Sequence, residues 1–289
     1  MRFFTSAAFT PRLPVLARAA DEAGYYGMTV PDHVVYPETI ESVYPGSPSG
    51  KPYWGPDDPW PDTWVTVGAM AAVTKRLHFI NSIYILPLRH PFVVAKAVST
   101  AAVLSEGRVI LGAGLGWMRE EYEAMGQDYR TRGRRSEEMI EVMRLLWSSQ
   151  MVEFHGRFYD FPPMQMSPPP PSPIPIFLGG RSDAALERTA RLADGYISGV
   201  HSWEQVDDLA VLVDHLRRLR QEKGRADQPF TFYAIVPTPA DLDSYRRLAD
   251  IGVDGVIMGP PVGPGATEDE HRSALMRFGE DVIAPAASL

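Results

Sequence analysis

The 289-residue chain has no cysteine, so disulfides, thiolate metal sites and a thiol nucleophile are all excluded. Long hydrophobic runs are missing too: no uncharged apolar stretch approaches the roughly 18 residues that a membrane-spanning helix needs. Positive charge is in deficit, 28 Lys and Arg against 36 Asp and Glu, and a formal net charge of −8 leaves no basic footprint for nucleic acid. The opening MRFFTSAAFTPRLPVLARAADEAG is apolar enough to suggest a leader, but Thr5, Ser6, Pro11 and Arg12 interrupt it, and it reads as a strand followed by a helix. A cytoplasmic chain with neither membrane nor nucleic-acid partners is the expectation. Also absent are a Walker sequence, an HExxH zinc motif and a GxSxG nucleophile elbow.

What the chain does contain is alternation. Short apolar or β-branched runs near 2–9, 26–31, 77–85, 108–113, 174–178, 195–199, 230–236 and 254–258 alternate with stretches of helical period. The helical stretches lie near 12–23, 62–73, 92–105, 134–149, 182–193, 203–222, 240–251 and 267–283. Eight βα units are the number that closes an α/β barrel of the TIM type, whose chemistry sits at the C-terminal strand ends. The expected fold is one (βα)8 barrel over residues 1–289, with insertions after strands two and four. A rival partition cuts at the proline tract PPMQMSPPPPSPIP, 162 to 175, as a linker or an SH3-type ligand. Half-barrels would expose open sheet edges, so the tract is expected to be a stiff connector. Ahead of it, MVEFHGRFYDF alternates bulky and polar residues around His155 and Gly156, the pattern of a small hairpin.

The polar residues that interrupt this pattern collect at predicted C-terminal strand ends. Asp32 and His33 follow the second strand; His33 is suited to proton transfer near neutral pH, although a capped turn has the same composition. The loop that follows, beyond twenty residues without period, carries Tyr53, Trp54 and Trp60, which suit either a lid that excludes water over a flat substrate or a packed surface loop. Asn81 and Ser82 break the apolar run INSIYILPLRHP. GAGLGW, 112 to 117, fails the dinucleotide pattern because Trp117 stands where a glycine is required, yet its glycines permit close backbone approach. GGRS, 179 to 182, lies between a strand and a helix, where backbone N–H groups and Arg181 could meet an anion.

Together, VPDHVVYP, RLHFINSIYILPLRHPFVVAKAVSTAAVLSEGRVILGAGLGWMREEYEAMG, RGRRSEEMIEVMRLLW and PIFLGGRSDAALERTARLADGYISG resemble the luciferase-like monooxygenase and reductase superfamily, nearest to its branch that uses the deazaflavin coenzyme F420. The resemblance covers roughly residues 1 to 200. It implies a barrel, a homodimer and a flavin or deazaflavin at the C-terminal mouth. It implies catalytic roles for His33 and Asp32, with Asp32 also near the cofactor ring. Asn81, Ser82 and Ile83 would form a bulge behind that ring, with a cis peptide at Ser82–Ile83. Gly114, Leu115 and Gly116 would border the ring, and Gly179, Gly180 and Arg181 would hold its phosphate side. Arg89 and His90 belong to a structural RHP turn. Tyr53, Trp54, Trp60 and Trp117 are expected to contact a small organic substrate. The superfamily's sugar-phosphate dehydrogenases have a catalytic Glu where this chain has Trp117, which argues against glucose 6-phosphate oxidation. The implied reaction is hydride transfer between F420 and an organic substrate. The alternatives are FMN-dependent monooxygenation and noncatalytic flavin or deazaflavin binding.

Overall fold

The computed structural model describes residues 1–6, 12–200, 202–237, 241–263 and 265–288. Expected strand residues 7–9 and helix residue 240 lie outside this set. The first βα unit is β1 (Arg2–Ser6) and α1 (Leu13–Glu22), the second β2 (Gly27–Val30) and α2 (Thr63–Ala71). The third strand is broken into β3 (His78–Asn81) and β4 (Tyr84–Ile85), followed by a 3-10 turn at Leu86–Leu88 and by α3 (Pro91–Leu104). β5 (Val109–Gly114) leads to a short α4 (Arg119–Ala124) and the longer α5 (Arg132–Leu146). The expected hairpin is β6 (Val152–His155) with β7 (Asp160–Met164). The last four units are β8 (Ile176–Gly179) and α6 (Asp183–Leu192), β9 (Gly195–Val200) and α7 (Val206–Glu222), β10 (Thr231–Ile235) and α8 (Leu242–Asp250), and β11 (Gly255–Met258) and α9 (Glu268–Phe278).

All barrel pairings are parallel, in the order β3-β2-β1-β11-β10-β9-β8-β5-β4, and β3 pairs with β5 to close the ring. Because β3 and β4 are halves of one strand, the barrel has eight staves, as the alternation predicts. Helix starts follow local chemistry. Asp62 accepts the Trp64 and Val65 N–H groups at 3.0 Å to start α2, and Thr267 with Glu270 forms a capping box on α9. Pro91 opens α3, where its missing N–H costs nothing.

Period-two alternation divides the core into two layers. Outward residues such as Met28, Phe79, Leu111, Ile176 and Phe232 pack against the helices in the larger cluster. Inside the barrel, Phe4, Ile80, Ile110, Phe177, Ile197, Tyr233 and Ile257 form a plug with one side chain from each contributing strand. β2 gives Gly27 instead: a Cβ there would lie 2.7 Å from the Phe4 ring. Each buried aliphatic or aromatic side chain in these layers contributes about 1.5–3 kcal/mol. The plug fills the barrel's middle, so any ligand at the mouth rests on top of it.

Candidate active site

Two residues above the plug, the inward positions shrink. On β5, Ile110 is followed by Gly112 and Gly114; on β8, Phe177 by Gly179; on β9, Ile197 by Gly199; and after β11, Ile257 by Gly259. A Cβ at Gly112 would meet the Asn81 carbonyl at 1.9 Å, and one at Gly114 the Ile83 Cδ1 at 2.2 Å. These two glycines therefore let the broken third strand press against β5. A Cβ at Gly179 would come 3.0 Å from the Ile197 carbonyl, and at Gly259 nothing lies within 4 Å. The result is a floor of glycines on which Ile83, Ile197 and Arg181 close from neighbouring strand ends, and a planar ring system is the kind of ligand that a glycine floor accepts.

The break in the third strand forms one wall. Ser82–Ile83 is cis, as the resemblance implies. Ile83 packs both on the barrel plug and on a smaller cluster of Ile85, Leu88 and Tyr122, so it bridges the interior and the mouth. Asn81 is 1% exposed, and among the described residues neither its Oδ1 nor its Nδ2 has a hydrogen-bond partner. Asn81 alternates with the inward Ile80 and pairs in register with Val30 of the outer layer, so its amide lies on the helix side, where leaving such groups unmet costs about 1–3 kcal/mol.

Asp32 fixes this wall from below. Its carboxylate takes two bonds from Arg89, at 2.7 and 2.8 Å, and one from the Ile85 N–H at 2.9 Å, tying the end of β2 to β4 and to the turn that starts α3. Burial pushes the Asp32 carboxyl up against the opposing pull of Arg89. Burial alone would lower the Arg89 guanidinium, but Asp32 holds it above its ordinary value. The Arg89 guanidinium also stacks 4.5 Å above the Tyr84 ring. Arg89 of the RHP turn is thus a structural clamp, and Asp32 is its partner.

His33 projects into different company. Its Nδ1 lies 3.0 Å from Glu121 Oε2, while Glu121 Oε1 accepts the Val34 N–H at 2.5 Å. The Glu121 side chain is 1% exposed and that of His33 11%. The rings of Trp54, Trp60 and Trp117 surround the imidazole at 5.1, 5.3 and 6.1 Å between centroids. Tyr44 joins them, 5.1 Å from Trp54 and 5.0 Å from Trp117, and burial pushes its phenol up. Tyr53 stacks edge-on against Trp54 but is 69% exposed, so it forms the rim of the cluster.

The loop after β2 is held in place by α4. Glu120 Oε1 accepts the Glu41 and Ser42 N–H groups at 2.8 and 3.0 Å, and the Arg119 N–H donates to Ser42 Oγ at 2.9 Å. On the other side of the floor, Gly180 adopts φ +109°, a conformation only glycine takes readily, and its carbonyl accepts the Tyr196 hydroxyl at 2.8 Å. Burial raises that phenol to about 12. Arg181 reaches over Gly199, and Ser182 caps α6 through the Ala185 N–H. A narrow cleft lined by Leu86, Gly114, Leu115, Ser136, Gly179 and Arg188 opens between these strand ends and α5 and α6.

Two clusters result. His33, Tyr53, Trp54, Trp60 and Trp117 gather over the end of β2, with Asp32 apart from them in the Arg89 clamp, while Gly179, Gly180 and Arg181 sit at β8, with Gly114, Leu115, Gly116 and the Asn81–Ile83 break between them. Sequence reasoning missed Glu121, Tyr44 and the floor positions Gly199 and Gly259. The available signal for Glu121 was Glu120–Glu121 directly after the glycine loop of a barrel strand, one helical turn beyond Trp117. Among the described residues no His, Asp and Glu group could hold a metal ion, and no helix is long and apolar enough to cross a membrane.

Residues 10–273 match the family model described as luciferase-like monooxygenase. An uncharacterized protein of Mycobacterium tuberculosis is 41% identical across 98% of this chain and 99% of its own length. The FMNH2-dependent dimethylsulfone monooxygenase of Pseudomonas fluorescens is 36% identical across 49% of this chain and 40% of its own. Among solved structures, the coenzyme F420-dependent tetrahydromethanopterin reductase of Methanopyrus kandleri superposes with a TM-score of 0.75 over 98% of this chain and 99% of that one, at 15% identity.

Proposed function

The chain belongs to the luciferase-like monooxygenase family, and from that premise we propose that it is an F420-dependent oxidoreductase transferring hydride to or from a small organic substrate. The observation that carries this reading is the glycine floor at the strand ends lying beside a carboxylate-bonded histidine under an aromatic cover. Gly114, Gly179 and Gly199 would underlie the ring, and Ile83 would cover its apolar face. Gly180 and Arg181 would take the phosphate side. A deazaflavin supplies two-electron hydride chemistry when bound. His33 would hold or release the substrate proton, while Trp54, Trp60 and Trp117 exclude water and grip the substrate.

The joined RHP, GAGLGW and GGRS segments support the deazaflavin over other rings. A second reading, FMN-dependent monooxygenation, is favoured by the 36% identity to the dimethylsulfone monooxygenase. Anaerobic titration with oxidised F420, FMN and FAD separates the two: a clear preference for F420 is expected, and tight FMN binding with none for F420 sinks the reading. We also propose a homodimer through α2 and α3, whose outer faces leave Val65, Val93 and Leu104 at 74%, 62% and 59% exposure. Sedimentation at micromolar concentration tests it, and a monomer overturns it.

A further inference from the structure

We infer that Glu121 is a positioning residue that fixes His33 as its Nδ1–H tautomer, leaving Nε2 as the only ring atom that exchanges a proton with substrate. The inference rests on the reading of His33 as the proton-handling group. Both carboxylate oxygens of Glu121 already have fixed neighbours. The Val34 N–H can only donate, so Glu121 Oε1 must accept. Glu121 Oε2 then faces His33 Nδ1 at 3.0 Å, and a carboxylate oxygen in that place is an acceptor. Nδ1 is then the donor.

Among the described residues Glu121 is the hydrogen-bond partner of the imidazole, and the rings of Trp54, Trp60 and Trp117 lie against it. With the Glu121 side chain 1% exposed, the bond is shielded from water, where a hydrogen bond gains strength. The anchoring is also rigid in origin. Glu121 lies in the first turn of α4, whose neighbouring Glu120 binds the loop after β2, while His33 and Val34 belong to the start of that same loop. The carboxylate thus holds both the ring and the backbone next to it, and orients Nε2 as well as selecting it.

In oxidation of a substrate hydroxyl, the Nε2 lone pair would take the hydroxyl proton, and a bound deazaflavin would supply the two-electron acceptor for the hydride of the adjoining carbon. In reduction, the Nε2–H bond of the imidazolium breaks and its proton returns to oxygen. The Nδ1–H bond is neither made nor broken in either direction, and Glu121 stabilises the imidazolium by accepting the hydrogen bond from Nδ1. In comparable histidine–carboxylate pairs, loss of the correct tautomer costs up to about 10⁴ in kcat.

Glu121→Gln makes the inference sharp. The Val34 N–H still requires an oxygen, so the amide oxygen stays there and the NH2 group turns toward Nδ1. Nδ1 is then forced to accept, and the proton moves to Nε2. The experiment is two-dimensional proton–nitrogen NMR of the cofactor-free protein carrying ¹⁵N-histidine, at alkaline pH where imidazoles are neutral, with the His33 signals identified by their loss in His33→Gln. The wild-type protein is expected to show Nδ1–H and Glu121→Gln to show Nε2–H. With the loaded enzyme, Glu121→Gln should lower kcat by about 10²–10⁴ with KM nearly unchanged. A wild-type Nε2–H signal, or an unchanged tautomer in folded Glu121→Gln, overturns the inference. If Glu121→Gln does not fold, the wild-type spectrum alone decides. Because the spectra need no cofactor, a failed F420 titration would leave the tautomer assignment intact.

Discussion

At the N-terminal pole of the barrel, long cationic side chains close backbone carbonyls one after another, whereas at the C-terminal pole the inward side chains dwindle to glycine. Arg108, just ahead of β5, donates to the carbonyls of Ala71, Thr74, Leu77 and Ser105 and to Thr74 Oγ1, at 2.7–3.2 Å. Arg220 donates to the carbonyls of Ala193, Arg225 and Gln228. Arg2 bonds the Tyr233 hydroxyl at 3.0 Å and lies over Tyr26, which stacks on His78 with centroids 4.2 Å apart. At the opposite pole, the Asn81 amide is buried without partners among the described residues, and much of the wall depends on one buried ion pair. One end is tied together by charged donors and the other is built on glycine, so substitutions at the two ends should separate stability from function.

The largest effect on activity is expected from His33→Ala, which should lower kcat/KM by about 10²–10⁴ with the fold intact. An unchanged rate on a verified substrate would return His33 to a packing role. Next comes Arg108→Met at the other pole. Several carbonyls lose a charged donor, so a loss of about 2–4 kcal/mol is expected in denaturant unfolding, with cofactor affinity unaffected. If affinity falls alongside stability, the two poles are coupled and the contrast between them fails.

A smaller effect is expected from Gly179→Ala. Its Cβ would crowd the Ile197 carbonyl at 3.0 Å and raise the floor, weakening cofactor binding by about tenfold, or 1.4 kcal/mol, in anaerobic titration. The smallest is a pH effect at the N-terminal pole. Burial lowers the His78 imidazole below its ordinary value, so the unfolded chain binds more protons than the folded one. The resulting stability is fully present above the unfolded value of about 6.5 and is lost as pH falls toward and through the depressed folded value. His78→Phe keeps a ring against Tyr26 and should flatten, though not abolish, the fall in urea midpoint between about pH 7.5 and 5.5, because burial lowers His90 as well. An unaltered slope would show that His78 does not contribute to it.

Much of the barrel was legible in advance because each stave writes a short β-branched run and each helix a period of 3.6, and both signals are local. The broken third strand was legible for a similar reason: Asn81 and Ser82 are out of place in an apolar run. α4 was not, since REEYEA is only six residues long and its helical state depends on what it holds. Glu120 and Glu121 look like solvated charges in sequence, and only the arrival of Glu41, Ser42, His33 and Val34 from a distant loop gives them work. The loop from 34 to 61 has no period to read. Its aromatic residues suggested a cover, but which of them touch His33 is decided by α4, some 80 residues away in sequence.

The aromatic cover also gives the protein an optical property. Of six tryptophans in the chain, Trp54, Trp60 and Trp117 lie in ring contact with one histidine, while Trp64, Trp147 and Trp203 lie elsewhere. Half of the intrinsic emitters are thus gathered where ligands would arrive. Ultraviolet fluorescence therefore samples the mouth of the barrel, so loop movement, ring quenching and energy transfer to a bound chromophore can all be read from the unlabelled chain.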